Sequence, residues 1–126
     1  MTDSSATTNQ QSIPILSTDR YTAPALGFGT YRLWGQSGAE SVETALTMGY
    51  RLIDSAYNYE NEGTVGAGIR AAIDKGIVSR DDVTVTSKLP GRYQEHDQAL
   101  SAIEESLYRT GLDYICLLYT SDAADE

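Results

Sequence analysis

The chain has 126 residues, of which 40% are hydrophobic and 21% are charged, and this composition suits one globular unit. Nine basic against 18 acidic residues give a formal net charge of −9, and an acidic chain without a basic cluster argues against nucleic acid and anionic membranes as partners. The single cysteine allows no internal disulfide, and no apolar run reaches the roughly 20 residues of a membrane span, so we expect a cytoplasmic protein.

The N-terminal part of the chain predicts a tail followed by a hairpin. Residues 1–11 are almost all Ser, Thr, Asp, Asn and Gln, and we expect them to be disordered because they cannot bury apolar surface. Residues 13–16 and 21–25 flank the turn-like sequence 17–20 and predict a short β-hairpin. Residues 26–30 (LGFGT) then predict a first strand whose two glycines allow a close approach to the backbone.

Three units of a helix followed by a strand come next. Each helix has apolar residues at helical spacing and a glycine as its stop, namely Gly49, Gly76 and Gly111. Ser37 and Glu40 form a capping-box pattern at the start of the first helix. In the third helix the apolar residues at this spacing are Leu100, Ile103 and Leu107.

The strands of these units are predicted at Leu52–Asp54, at Val83–Lys88, and from Tyr114–Ile115 onward. Such a β-α alternation predicts parallel strands joined by right-handed crossovers. The pattern alone leaves two architectures open, a closed barrel and an open, doubly wound sheet.

Polar residues stand where two of these strands end. Asp54 closes one strand, Lys88 closes the next, and Tyr59 lies in the polar loop after Asp54. Because the carboxyl ends of parallel strands meet at one edge, the three side chains are expected at one rim. Each also has an ordinary interpretation: a loop cap for Asp54, a solvated strand end for Lys88, and packing for Tyr59.

Four motifs at family-like spacing make the chain resemble the aldo-keto reductases, in particular the bacterial 2,5-diketogluconate reductase-like members. In chain order they are Leu26–Tyr31 (LGFGTY), Asp54–Glu62 (DSAYNYENE, with Ser55 for the usual Thr), Thr86–Pro90 (TSKLP) and Glu105–Tyr114 (ESLYRTGLDY). The resemblance covers the chain from about Pro24 to Ile115. Any one of these motifs alone would be a weak signal.

The resemblance implies an α/β fold, the first half of a (β/α)8 TIM barrel with an N-terminal β-hairpin, truncated at strand 4 and formed by residues 12–115. A complete barrel needs about 250 residues, and the inner face of the half-barrel is expected to be apolar. Residues 116–126 (CLLYTSDAADE) depart from the family pattern and match one reading frame of a transposase-type sequencing adapter. We therefore expect a foreign tail, with Ser121 standing where the family carries its catalytic histidine.

Reduction of a carbonyl by a nicotinamide needs an acid that protonates the oxygen as charge builds on it. The resemblance implies that Tyr59 is this acid. A free phenol has a pKa of about 10, and the ammonium of Lys88 would favour release of its proton. Asp54 would keep Lys88 charged by pairing with it.

The resemblance also implies the ligands of the site. Thr30 and Asp54 would contact the cofactor, which is NADPH with NADH as the alternative, and Tyr31 and Trp34 would line the pocket of a small carbonyl substrate. Trp34 has the alternative of a surface loop aromatic, and His96 is interpreted as a surface residue. We expect no metal site and a monomeric full-length enzyme. The competing interpretations are a binding or regulatory barrel with little turnover and a fragment that is inactive by itself.

Overall fold

The fold consists of a two-stranded hairpin followed by an alternation of strands and helices. It is described by a computed structural model that covers residues 13–20 and 22–120. The tail predicted at residues 1–11 and the last six residues lie outside this range. The hairpin pairs β1 (Ile15–Ser17) with β2 (Thr22–Pro24) in antiparallel orientation, as predicted from the sequence.

The elements after the hairpin follow the predicted order. They are β3 (Phe28–Gly29), α1 (Gly35–Thr47), β4 (Leu52–Asp54), α2 (Glu62–Asp74), β5 (Thr84–Leu89), α3 (His96–Thr110) and β6 (Leu117–Thr120). The sheet has the strand order β3-β4-β5-β6, and every neighbouring pair is parallel. Short 3₁₀ turns precede α2, β5 and α3, at Tyr57–Tyr59, Arg80–Asp82 and Gly91–Tyr93 respectively.

The strand at the N-terminal edge of the parallel sheet is shorter than predicted. It pairs with β4 only through Phe28 opposite Ile53 and Gly29 opposite Asp54, and the neighbouring β4 is itself three residues long. Residues 26, 27 and 30 of the predicted strand lie outside the ladder, although Gly27 still packs closely against the side chain of Leu52 in β4.

The strand at the other edge begins later than predicted, at Leu117 and not at Tyr114–Ile115. The first bond to β5 comes from the backbone N–H of Cys116, which donates to the carbonyl of Val85 at 2.9 Å. Tyr114 does not join the strand. The guanidinium of Arg80 lies 3.9 Å from its ring centre and donates a hydrogen bond to its backbone carbonyl.

The predicted capping box at the first helix is wrong. The helix begins at Gly35 with Trp34 in the N-cap position, so Ser37 lies inside the first turn and its hydroxyl points back to the carbonyl of Trp34. The glycine stops are confirmed. Gly49, Gly76 and Gly111 follow their helices with φ of 114°, 75° and 69°, a region that L side chains rarely adopt.

The main core lies between the sheet and the helices. Its buried members are Val42, Leu46, Ile53, Val65, Ile69, Ala72, Val78, Val83, Val85 and Leu112. In the third helix, Leu100 of the apolar spacing is 49% exposed, and the face buried against α2 consists of small and polar residues. That face is Ala102, Ser106 and Thr110.

The close approach of α3 to α2 explains this choice of residues. A Cβ at Gly66 would lie 1.9 Å from the carbonyl oxygen of Thr110, so only glycine allows the two helices to meet there. On the other side, a Cβ at Gly68 would lie 2.6 Å from the Ala39 carbonyl of α1. The second helix is therefore held tightly between its two neighbours, and its N-terminus has a fixed position beside the sheet.

The sheet face that turns away from the helices is not the apolar surface predicted for it. Along β5, Thr84, Thr86 and Lys88 share this face because side chains alternate along a strand. Asp54 stands opposite Thr86 in the register, and Tyr119 stands opposite Lys88. The face is therefore mixed, with a polar cluster at the carboxyl ends of β4 and β5.

Candidate active site

The polar cluster brings together the three residues predicted at one rim. The ammonium of Lys88 donates to both carboxylate oxygens of Asp54, at 2.8 and 3.0 Å, and to the hydroxyl of Tyr59 at 3.2 Å. It also donates to the carbonyl of Ser55 at 3.1 Å. Lys88 therefore bridges a carboxylate and a phenol that come from different elements, β4 and the 3₁₀ turn after it.

The electrostatics of Lys88 follow from this arrangement. Burial is the largest single influence and lowers the pKa of the ammonium, but the hydrogen bonds and charges of Asp54 and Tyr59 together outweigh it. The pKa of Lys88 therefore lies above its usual value, and the group stays protonated at neutral pH. The side chains of Lys88 and Asp54 keep 20% and 31% of their surface exposed, so a ligand can reach the pair.

Two threonines hold Asp54 in place. The hydroxyl of Thr86 donates to carboxylate oxygen Oδ1 at 2.6 Å, and the hydroxyl of Thr30 donates to the backbone carbonyl of Asp54 at 2.8 Å. The sequence analysis missed Thr86. Its position two residues before Lys88 on the same strand face was the available signal, but the register that places it opposite Asp54 is set by non-local pairing.

Asn61, which follows the 3₁₀ turn and Glu60, contacts the loop between β3 and α1. It occupies the N-cap position of α2 without capping the helix by its side chain. Its Nδ2 donates instead to the carbonyls of Thr30 and Leu33, at 2.5 and 3.0 Å. Asn61 thus attaches the loop that carries Tyr31 to the start of α2.

Glu62, the first residue of α2, is buried. Its two carboxylate oxygens accept hydrogen bonds from the hydroxyls of Ser87 and Ser106, each at 3.0 Å. Burial raises the pKa of Glu62 above its usual value, and the two serine bonds offset part of that shift. This carboxyl group joins α2, β5 and α3 on the helix side of the sheet.

The predicted ligand-contacting residues lie near the cluster to different degrees. Thr30 is fully buried, and its hydroxyl donates to the backbone carbonyl of Asp54. The ring of Tyr31 lies 5.1 Å from the ring of Tyr59 and is 62% exposed. Trp34 is 52% exposed at the start of α1, and no ring stacks on it within the described residues.

Tyr57 lies on the same 3₁₀ turn as Tyr59 but faces the helices. Its hydroxyl donates to the carboxylate of Glu105 at 2.7 Å, and that hydrogen bond is the main cause that raises the pKa of Tyr57. Two tyrosines separated by one residue therefore have separate surroundings, one beside an ammonium and one beside a carboxylate.

The remaining titratable side chains add nothing to the cluster. His96 begins α3, its side chain is 88% exposed, and its ring nitrogen lies 3.2 Å from Asp97. Over residues 13–20 and 22–120, no group of three or more His, Cys, Asp or Glu side chains is arranged to hold a metal ion. The same range contains no helix that is long and apolar enough to cross a membrane.

Residues 25–125 match the sequence model of the Aldo/keto reductase family. The chain belongs to this family. The 2,5-diketo-D-gluconic acid reductase B of a Corynebacterium species is 46% identical to this aldo/keto reductase chain over 91 residues, which are 72% of the chain and 31% of the relative. The NAD(P)H-dependent D-xylose reductase of Scheffersomyces stipitis is 41% identical over 97 residues, 77% of the chain and 30% of the relative. The chain thus spans less than a third of either relative.

Solved structures of aldo/keto reductases confirm the predicted fold class. The Bombyx mori enzyme in complex with NADP has a TM-score of 0.78 and 34% identity, covering 92% of this chain and 42% of that one. The Brucella melitensis enzyme has a TM-score of 0.77 and 32% identity, covering 85% and 41%. The aldo/keto reductase chain is therefore the first half of a TIM barrel with an N-terminal hairpin, and the open doubly wound sheet is excluded.

The predicted foreign origin of residues 116–126 stays a prediction. The match to the family continues to residue 125, and β6 occupies Leu117–Thr120 within this stretch. Position 121, where the family's histidine is expected, lies outside the described residues.

Proposed function

We propose that the complete protein containing this chain reduces the carbonyl group of a small aldehyde or ketone, with NADPH as hydride donor and NADH as the alternative. The observation that carries the proposal is the contact of one ammonium, that of Lys88, with both Asp54 and Tyr59 on an accessible sheet face. The names of the relatives support the class of reaction, since both are reductases and the D-xylose reductase is NAD(P)H-dependent.

The residues around the cluster fit a nicotinamide. The end of β3 is open, because a Cβ at Gly29 would meet no atom within 4 Å. We propose that the nicotinamide ring lies at this end of the strand, next to Thr30 and on the sheet face that carries the cluster. The cofactor supplies the hydride when bound, and the side chains of this chain position the carbonyl and its proton donor.

Each member of the cluster then has one role. Tyr59 gives its hydroxyl proton to the carbonyl oxygen as negative charge develops there. The Lys88 ammonium stabilises the phenolate that remains, and Asp54 keeps the ammonium charged and oriented. Tyr31, next to the Tyr59 ring, forms one wall of the substrate pocket, and Trp34 is proposed as another. The monomeric state and the cytoplasmic location stay predictions.

The test is carbonyl reduction by the complete protein and by its Tyr59→Phe variant. Removing the hydroxyl should lower the turnover of a simple aldehyde by roughly 10²–10⁴-fold, the usual effect of a positioned acid, while NADPH binding measured by fluorescence is unchanged. Tyr57→Phe is the matched control, because its hydroxyl faces Glu105, and it should keep its turnover. Wild-type turnover by Tyr59→Phe would exclude Tyr59 as the donor, and a wild-type protein that binds NADPH without turnover would favour a regulatory barrel.

A further inference from the structure

Thr86 makes a contact that the proposed chemistry does not use directly. It stands opposite Asp54 in the parallel register of β4 and β5, and it is 6% exposed. Its hydroxyl donates to Asp54 Oδ1 at 2.6 Å, and its backbone carbonyl accepts the N–H of Ser55 at 2.8 Å. Thr86 therefore contacts the end of β4 through both its side chain and its backbone.

The hydroxyl defines the orientation of the carboxylate. Asp54 could rotate about its side-chain bonds while still touching a long, flexible lysine, since an ammonium offers donors in several directions. The donor of Thr86 is different, because a short β-branched side chain on a paired strand has few rotamers. One oxygen of Asp54 is thus held by the rigid sheet, and both oxygens then face Lys88.

We propose that Thr86 is a positioning residue, which holds the Asp54 carboxylate so that Lys88 is placed beside the hydroxyl of Tyr59. The kinetic part of this inference rests on the proposed reductase function. The structural part, the placement of Lys88, does not depend on any activity.

The competing explanation is that Thr86 is present only as a good strand former. Valine has nearly the same shape and the same preference for strands, but it has no hydroxyl. Thr84 is the matched control residue. It lies on the same face of the same strand, opposite Leu52, and its hydroxyl makes no hydrogen bond to another side chain within the described residues.

The experiment compares Thr86→Val, Thr86→Ser and Thr84→Val in the complete protein. Thr86→Val should lower kcat by at least about tenfold, since displacement of a catalytic group by about 1 Å can cost up to a hundredfold. Its KM should change little, because Thr86 is only 6% exposed and its hydroxyl is bonded to Asp54. Thr86→Ser keeps the hydroxyl and should keep most of the wild-type kcat. Thr84→Val should behave as the wild type.

A second readout follows Lys88 without any reaction. In ¹⁵N-lysine spectra, the ammonium signal that is lost in Lys88→Arg should be sharp in the wild type, Thr86→Ser and Thr84→Val, and broadened or shifted in Thr86→Val. Equal effects of Thr86→Val and Thr84→Val on both readouts would overturn the inference. If the wild type reduces no carbonyl, the proposed function fails, and the ammonium signal alone then decides the role of Thr86.

Discussion

The two faces of the parallel sheet differ in what their side chains do, although both belong to the same short strands. On the helix side, Ile53 and Val85 are 0% and 1% exposed and belong to the apolar core. On the opposite side, Asp54, Thr86 and Lys88 form the hydrogen-bonded cluster. The alternation of a strand lets neighbouring residues serve stability and chemistry separately, so a substitution at one position need not disturb the other function.

The largest effect is expected when the 126-residue chain is produced by itself. In the part of the chain that the structure describes, β3 and β6 are each paired on one side only, and the face with the cluster is not covered. Unpaired edges promote association between chains. We expect no carbonyl turnover, a loss of the cooperative melt, and either aggregates or dimers.

Near-UV circular dichroism, sedimentation and NADPH-dependent aldehyde turnover would check this result against the complete protein. A monomer with a cooperative melt and clear turnover would contradict it. That outcome would mean that the helix-covered face alone supports both the fold and the cluster.

A smaller effect is expected from two single substitutions in the complete protein, at the adjacent β5 residues Val85 and Thr86, which lie on opposite faces of the sheet. Val85→Thr places a hydroxyl in the apolar core, where an unpaired polar group costs roughly 1–3 kcal/mol. Its free energy of unfolding in urea should fall by about that amount while kcat is unchanged. Thr86→Val is the matched variant on the other face and should lower kcat with little change in stability. A large fall of kcat in Val85→Thr would show that the two faces are coupled.

The smallest effect concerns Glu62, a buried acid on the helix side. Because its folded-state pKa is raised, its contribution to stability is present below the usual glutamate pKa and is lost as the pH rises through the raised value. Glutamine does not ionise, so Glu62→Gln avoids the loss of stability that deprotonation causes. The variant should have a larger free energy of unfolding than the wild type at neutral pH, and the difference between the two should shrink in acid. Urea unfolding over a pH series measures this, with the exposed Glu104→Gln as the control.

The parts of the fold that follow from local pattern were predicted from the sequence. The hairpin, the strand at Leu52–Asp54 and the glycine stops depend on residues next to each other in the chain. The contact of Asp54, Tyr59 and Lys88 was also predicted, because parallel strands present their carboxyl ends at one edge. The roles of these three residues stay predictions.

The parts that depend on contacts between distant elements were missed. Leu100 fits a helical apolar stripe, yet α3 packs through Ala102, Ser106 and Thr110, because Gly66 of α2 lets the backbones meet there. Glu62 looks like a solvated first-turn acid until Ser87 and Ser106 are placed beside it by the sheet and by α3. No local pattern contains that information.

The side chain of Asn61 has a consequence for protein engineering. It binds the loop between β3 and α1 through two backbone carbonyls, those of Thr30 and Leu33. A backbone carbonyl is present whatever residue stands at that position, so Asn61 constrains the path and the length of the loop and leaves its side chains free to vary. A library that randomises position 31 at constant length should therefore keep its fold, whereas one inserted residue would move a carbonyl out of reach. Arg32 has a positive φ of 66°, which most side chains disfavour, so position 32 is left unchanged. Variants with altered substrate preference can thus be sought by substituting side chains of this loop.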